Sequence, residues 1–256
     1  MIVIGITGPI GHGKSTLASA FLNITSKSEH LESSMVITEV ANEWLDKFPK
    51  ELLINERDTK LLNRWMKDLA DIVSKQLRPL NSRKLLIEKS MLKTEPEMYK
   101  QLFVYIDLLR QGVVPIGEKI DQDNKDKHRA ILQWVGGYLV AKAHKGIWYE
   151  EIEKRLGAAE KRGVQLFIVG GIRYPYDAEV IRRNGGVIIQ LLRKDLPERE
   201  TEDITEIHRH EVKIDATIYS DASREALSEA ALSIYDDIQN KTLLKQYNTD
   251  DFQGIV

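Results

Sequence analysis

Lys14 and Ser15 close the run Gly8-Pro9-Ile10-Gly11-His12-Gly13-Lys14-Ser15, whose spacing is G-x-x-x-x-G-K-S. That spacing suits the capture of an anionic polyphosphate. Glycines at 8, 11 and 13 let backbone N–H groups turn inward with no side chain in the way. The Lys14 ammonium would reach the β- and γ-phosphates, and the Ser15 hydroxyl would ligate Mg²⁺. Thr16, Leu17, Ala18 and Ala20 then open a helix whose N–H groups and positive dipole end face the same phosphates. The expected cofactor-binding residues are Gly8, Gly11, His12, Gly13, Lys14, Ser15 and Thr16, holding ATP with Mg²⁺, and Ser15 is the metal ligand.

The other candidates are charged residues near expected strand ends. Glu39 follows Met35-Val36-Ile37-Thr38, which reads as a second strand, and ligands of open α/β sheets gather at the carboxyl ends of strands. There it would contact an acceptor or help hold Mg²⁺; the plainer reading is a solvated carboxylate at a helix start. Arg129 has the planar fork that pairs with a phosphate, although an arginine taken alone is more often a surface residue. Arg173 follows Gly170-Gly171, and Arg193 and Lys194 follow the apolar stretch 187–192. Residues 195–212 are dense in charge, which suits a lid closing over phosphates and equally a solvated loop. His208 and His210 are two apart with no third ligand in spacing, so neither is expected to bind a metal.

These residues need a scaffold, and the composition allows one. The chain has 256 residues, of which 42% are hydrophobic, enough for one α/β domain with an elaboration. A formal charge of −2 argues against an electrostatic grip on nucleic acid or an anionic membrane. Cysteine is absent, which excludes disulfides and thiolate metal sites and is compatible with a cytoplasmic location. Residues 1–7 are too short for a secretory signal, and no stretch has the length of a transmembrane helix.

The apolar stretch Ile2, Val3, Ile4, Ile6 reads as the first strand, leading into a helix to about Asn23. A polar stretch from Thr25 to Ser34 follows. Between Thr59 and Leu77 the residues Leu62, Trp65, Met66, Leu69, Ile72 and Val73 recur at helical steps. A further apolar segment, Leu102 to Leu109, also reads as helical. Residues 45–125 are therefore expected to form a helical acceptor-binding insertion, and Asp121–Lys127 a solvated loop. Helix through Lys161, buried strands at Leu166–Val169 and Val187–Leu192, and a helix from Pro175 closed by Asn184-Gly185-Gly186 follow. A short strand, Ala216–Tyr219, precedes a helix capped by Ser223, and the polar tail from Lys241 is expected to fray.

The order of these parts resembles the phage-type deoxynucleoside monophosphate kinases of the P-loop kinase group, relatives of dephospho-CoA kinase and adenylate kinase. The family's R-x-L-x-Q-x-L-G segment is similar to Arg129–Gly136, with Gln133 in place, followed by an aromatic helix start at Ile147-Trp148-Tyr149. Its D-V-R-F-P-N-E-A-E segment is similar to Gly171–Glu179, its lid element to Asp203–Glu206, and its N-D-G-S-L-E-E-L to Ser220–Leu227. Three departures stand out: Gly171 replaces an aspartate, Asp203 replaces the lid histidine, and no proline-lysine acceptor segment is recognisable around Glu39 to Trp44. The stretch Ile4–Thr16 is itself closer to dephospho-CoA kinase.

The resemblance implies an α/β P-loop NTPase three-layer fold with about five parallel strands. It implies transfer of the γ-phosphoryl of ATP to a (deoxy)nucleoside monophosphate, with Lys14, Arg129, Arg173 and Glu39 catalytic, Arg193 joining the cofactor-binding residues, and Arg193 or Lys194 assisting from the lid base. Glu39 is the carboxylate expected to replace the missing aspartate. Two alternatives stay open: a dephospho-CoA kinase-like small-molecule kinase, or a nucleotide-binding switch or assembly protein. The sequence leaves a homodimer open.

Overall fold

A computed structural model describes residues 1–77, 82–196, 208–221 and 223–252. The chain divides into two compact units, residues 1–33 with 152–256, and residues 34–151. The second begins earlier and ends later than the helical insertion expected over 45–125.

The first unit is built on a six-stranded, all-parallel sheet with β1 (Ile2–Thr7) near its middle. The other strands are β2 (Ser28–Glu32), β3 (Leu166–Gly170), β4 (Val187–Arg193), β5 (Ala216–Ser220) and β6 (Gln246–Asn248), and the order is β2-β3-β1-β4-β5-β6. This is an α/β fold of the P-loop NTPase type, with one more strand than the five expected. Because β1 and β3 are covered on both faces, they read as unbroken apolar runs rather than alternating ones.

One face of the sheet, formed by Ile4, Ile6, Ile168, Ile189, Leu191 and Ile218, packs against two helices. These are α1 (Lys14–Leu22), through Leu17 and Phe21, and α9 (Arg224–Asn240), through Leu227, Ala231 and Ile234. Each such side chain taken fully from water contributes about 1.5–3 kcal/mol. On the other face lies α8 (Pro175–Arg183), and a Cβ on Gly5 would lie 2.6 Å from Ile188 of β4 and 3.4 Å from Ile181 of α8. Beside it runs the C-terminal part of α7 (Ile147–Lys161), joined by Arg183 Nε donating to Glu153 at 2.6 Å.

Two expectations are corrected here. Met35–Thr38 is not a strand but part of α2 (Ser33–Leu45). Val36 and the β-branched residues after it look strand-like locally, yet Val36, Val40, Ala41 and Trp44 fall on one buried helical stripe, and burial decides. The second strand is instead Ser28–Glu32, a polar edge strand in which only Leu31 is fully buried. The tail from Lys241 is also ordered as far as described: β6 pairs with β5, and a short 3₁₀ turn, Thr249–Phe252, follows.

The second unit is helical. It contains α2, α3 (Thr59–Gln76), the single turn α4 (Met91–Thr94), α5 (Pro96–Arg110) and α6 (Arg129–Lys142). The Asp58 side chain caps α3 by accepting from Lys60 N and Leu61 N. The α3 stripe is buried within this unit, where Trp65 stacks on Trp44 at 3.8 Å. Each of these two indoles donates to the other residue's carbonyl, at 2.7 and 3.1 Å. Asp121–Lys127 is the turn expected, with Asp121 accepting from Asp123 N and Asn124 N.

Candidate functional site

The glycine-rich loop leaves the carboxyl end of β1 and enters α1 directly. Gly8 has φ +145°, and a Cβ there would run into the Leu191 carbonyl oxygen, so backbone conformation and close approach both require glycine. Gly13 is the N-cap of α1 in the left-handed region, at φ 91° and ψ 21°, with no side-chain cap. No side chain caps the first N–H groups of α1, the end of a helix at which its dipole favours an anion. Ser15 is exposed at that end of the helix. The Lys14 ammonium donates to Gly8 O and Pro9 O, both at 2.7 Å, which holds it over the loop.

His12 is a structural tie. Its ring is 2% exposed, and its Nδ1 accepts from Arg193 N at 3.0 Å, fastening the loop to the end of β4. The Arg193 side chain hydrogen-bonds to Asp195, which raises the guanidinium pKa and holds the Asp195 carboxyl below its ordinary range. Lys194 Nζ donates to Asp250 at 2.6 Å.

The strand ends on the other side of β1 lie in register, with Glu32 opposite Gly170 and Leu31 opposite Val169. Ile172 N donates to Ile6 O at 3.2 Å, and the buried Thr7 hydroxyl donates to Ile172 O at 2.7 Å, so the segment after β3 is bound to the end of β1. Glu32 lies over Gly170: a Cβ there would be 2.7 Å from Glu32 Cγ and 2.8 Å from its Cδ, and would also meet Oε1. The His30 ring stands 3.4 Å from the same carboxylate. Glu32 thus supplies a carboxylate at the end of β3, where the strand itself ends in two glycines. Gly171 has φ +72° with open space where a Cβ would be, so it is a turn glycine, whereas Gly170 makes room for Glu32.

Glu32 and Gly170 were missed by the sequence reading. The available signal was the glycine pair closing a buried strand, which marks a turn or a close approach. Glu39, expected at a strand end, lies on an exposed position of α2 in the helical unit, because the strand expected before it does not form. Arg129 belongs to the helical unit too; its side chain pairs with Asp126 at 2.6 Å at the start of α6. Arg173 is in the sheet unit, half-buried, and its backbone N–H is fixed by Asp177 Oδ2 at 3.0 Å. Of the expected lid, residues 197–207, including Asp203–Glu206, lie outside the described residues.

No three metal-ligating His, Asp or Glu side chains cluster among the described residues. Mg²⁺ bound with a polyphosphate requires only one or two protein oxygens, the rest coming from phosphate and water. Ser15, at the start of the helix that follows β1, and Glu32, the last residue of β2, are oxygen donors of the hard kind it prefers. Among the described residues no helix is long and apolar enough to cross a membrane. Compared with known proteins, the chain matches no family model and no curated protein.

Proposed function

We propose that this chain is a cytoplasmic ATP-dependent phosphotransferase whose acceptor is a (deoxy)nucleoside monophosphate. The observation that carries this reading is the loop: left-handed glycines, an uncapped helix N-terminus and Lys14 poised over the turn. In phosphoryl transfer the protein mainly positions the reactants and offsets developing charge. Lys14 and the N–H groups of the loop hold the β- and γ-phosphates. Ser15 and Glu32 would hold Mg²⁺, which would supply positive charge to offset the charge of the phosphates. Glu32 takes the role expected of Glu39. Arg173, fixed by Asp177 beside the end of β3, faces the acceptor phosphate. Arg193 assists at the end of β4 once released from Asp195.

The alternative of a switch or assembly protein rests on Gly171 and on the missing acceptor segment, and an exposed apolar stripe on the helices of residues 59–111 would have favoured it further. The α3 part of that stripe is buried. The test is ADP production from Mg-ATP with each deoxynucleoside monophosphate, each ribonucleoside monophosphate and dephospho-CoA in turn. Turnover stimulated by a nucleoside monophosphate, and lowered at least about tenfold in Glu32→Gln, supports the proposal. Stimulation by dephospho-CoA alone would replace the acceptor. Stimulation by none would sink the kinase.

A further inference from the structure

The C-terminal segment does more than extend the sheet. β6 lies along β5, with Ile218 opposite Tyr247 and Tyr219 opposite Asn248. Its far end is anchored on α9, where the Tyr247 hydroxyl donates to Asp237 at 2.8 Å. The chain then turns over the carboxyl end of β5. Thr249 is fully buried there, and its hydroxyl oxygen accepts from Asp221 N at 3.1 Å while it lies 3.3 Å from Tyr219 O. One residue on, Asp250 holds Lys194, whose own N–H donates to Ser220 O at 2.9 Å. Arg193, the next residue back, is the one bound by His12 of the loop. An unbroken chain of hydrogen bonds and adjacent residues therefore joins the C-terminal turn to the phosphate loop.

Ligands of open α/β sheets gather at the carboxyl ends of the strands, so the strand ends beside the loop are where the nucleoside of a loop-bound phosphate would lie. The β2–β3 side is taken by the Glu32 carboxylate. The β4–β5 side presents Arg193, Lys194, Ser220 and Asp221, and of these the C-terminal turn holds Lys194 and Asp221 directly. We propose that Thr249 and Asp250 are positioning residues for the nucleoside half of the donor nucleotide. They act through Asp221 and Lys194, and the inference rests on the phosphotransferase reading above.

The experiment compares ATP with inorganic tripolyphosphate, which carries the phosphates and no nucleoside. Affinities of both are measured by calorimetry on the full chain for wild type, Thr249→Val, Thr249→Ser, Asp250→Asn and Asp237→Asn. The expected result is a loss of about fivefold in ATP affinity for Thr249→Val, the size of one neutral hydrogen bond, with tripolyphosphate changed less than about twofold. Asp250→Asn follows the same pattern, and Thr249→Ser, which keeps the hydroxyl, restores ATP binding. Asp237→Asn loosens the same segment on the α9 side and lowers the melting temperature without changing the ratio of the two affinities. Equal losses for both ligands, or unchanged ATP binding in Thr249→Val, overturn the inference and leave the phosphotransferase reading standing. A wild type that binds neither ligand removes both.

Discussion

Substituting alanine for Gly170 tests the placement of Glu32 with a measurable energy. The new Cβ would sit 2.7 Å from Glu32 Cγ and 2.8 Å from Cδ, well inside van der Waals contact. Cγ is not the free end of the side chain, so the whole carboxyl group must swing away. Overpacking of this kind costs about 1–3 kcal/mol. The backbone at 170 is not in the left-handed region, so alanine also restricts the unfolded chain and returns about 0.4–1 kcal/mol. The net expectation for Gly170→Ala is a destabilisation of about 1–2 kcal/mol. In a Glu32→Ala background the clash is gone, and the same change should be neutral or stabilising by about 0.5 kcal/mol. The double-mutant cycle therefore predicts a coupling of about 2 kcal/mol. Urea unfolding of the four proteins measures it. Turnover gives an independent readout, since the double variant should recover stability and not activity. Additive costs within about 0.5 kcal/mol would refute the contact and with it the role assigned to Glu32.

Three further outcomes follow from the same geometry. Gly8→Ala meets both a positive φ and the Leu191 carbonyl, so it should cost more than about 2 kcal/mol in thermal unfolding and abolish nucleotide binding. Ser15→Ala should fold normally, because Ser15 is exposed, but should need a higher Mg²⁺ concentration for half-maximal turnover, by about tenfold. Tyr247, largely through burial, has its pKa pushed up to about 12 from an ordinary value of 10.0. The folded state thus favours the neutral phenol, and the stability this contributes is full below pH 10 and is lost as the pH rises towards 12. Unfolding of Tyr247→Phe should show a shallower decline than wild type across that interval.

The sheet was legible where burial and local preference agree. Ile2–Thr7 and Leu166–Gly170 are covered on both faces and read as apolar runs, and Val187–Arg193, though only partly covered, is apolar apart from Gln190 and its terminal arginine. The helices of Thr59–Gln76 and Arg224–Asn240 were legible because their stripes keep the helical period and Ser223 marks the start of the second; the cap of the first, Asp58, shows only in the structure. The second strand was not. Ser28-Glu29-His30-Leu31-Glu32 pairs on one side only, and no apolar pattern marks it, while the β-branched residues just after it imitate a strand inside a helix. That shift of a few residues moved the expected strand-end carboxylate from Glu32 to Glu39. β6 was missed for a similar reason, since Tyr247 is its one buried side chain and its pairing partner is distant in sequence. The loop glycines were legible because their spacing alone specifies the turn, whereas the contact between Glu32 and Gly170 joins residues 138 positions apart and has no local signature.

The measurement that bears most directly on the central claim is calorimetric titration of the full chain with Mg-ATP, wild type against Lys14→Ala. Lys14 is partly exposed, and its loss leaves the loop glycines and α1 in place, so the variant should fold as wild type does. The account predicts saturable one-to-one binding by the wild type, weakened at least about thirtyfold in the variant, the size of a charge-assisted contact to phosphate. Equal affinities in the two proteins, or no binding by the wild type, would contradict it.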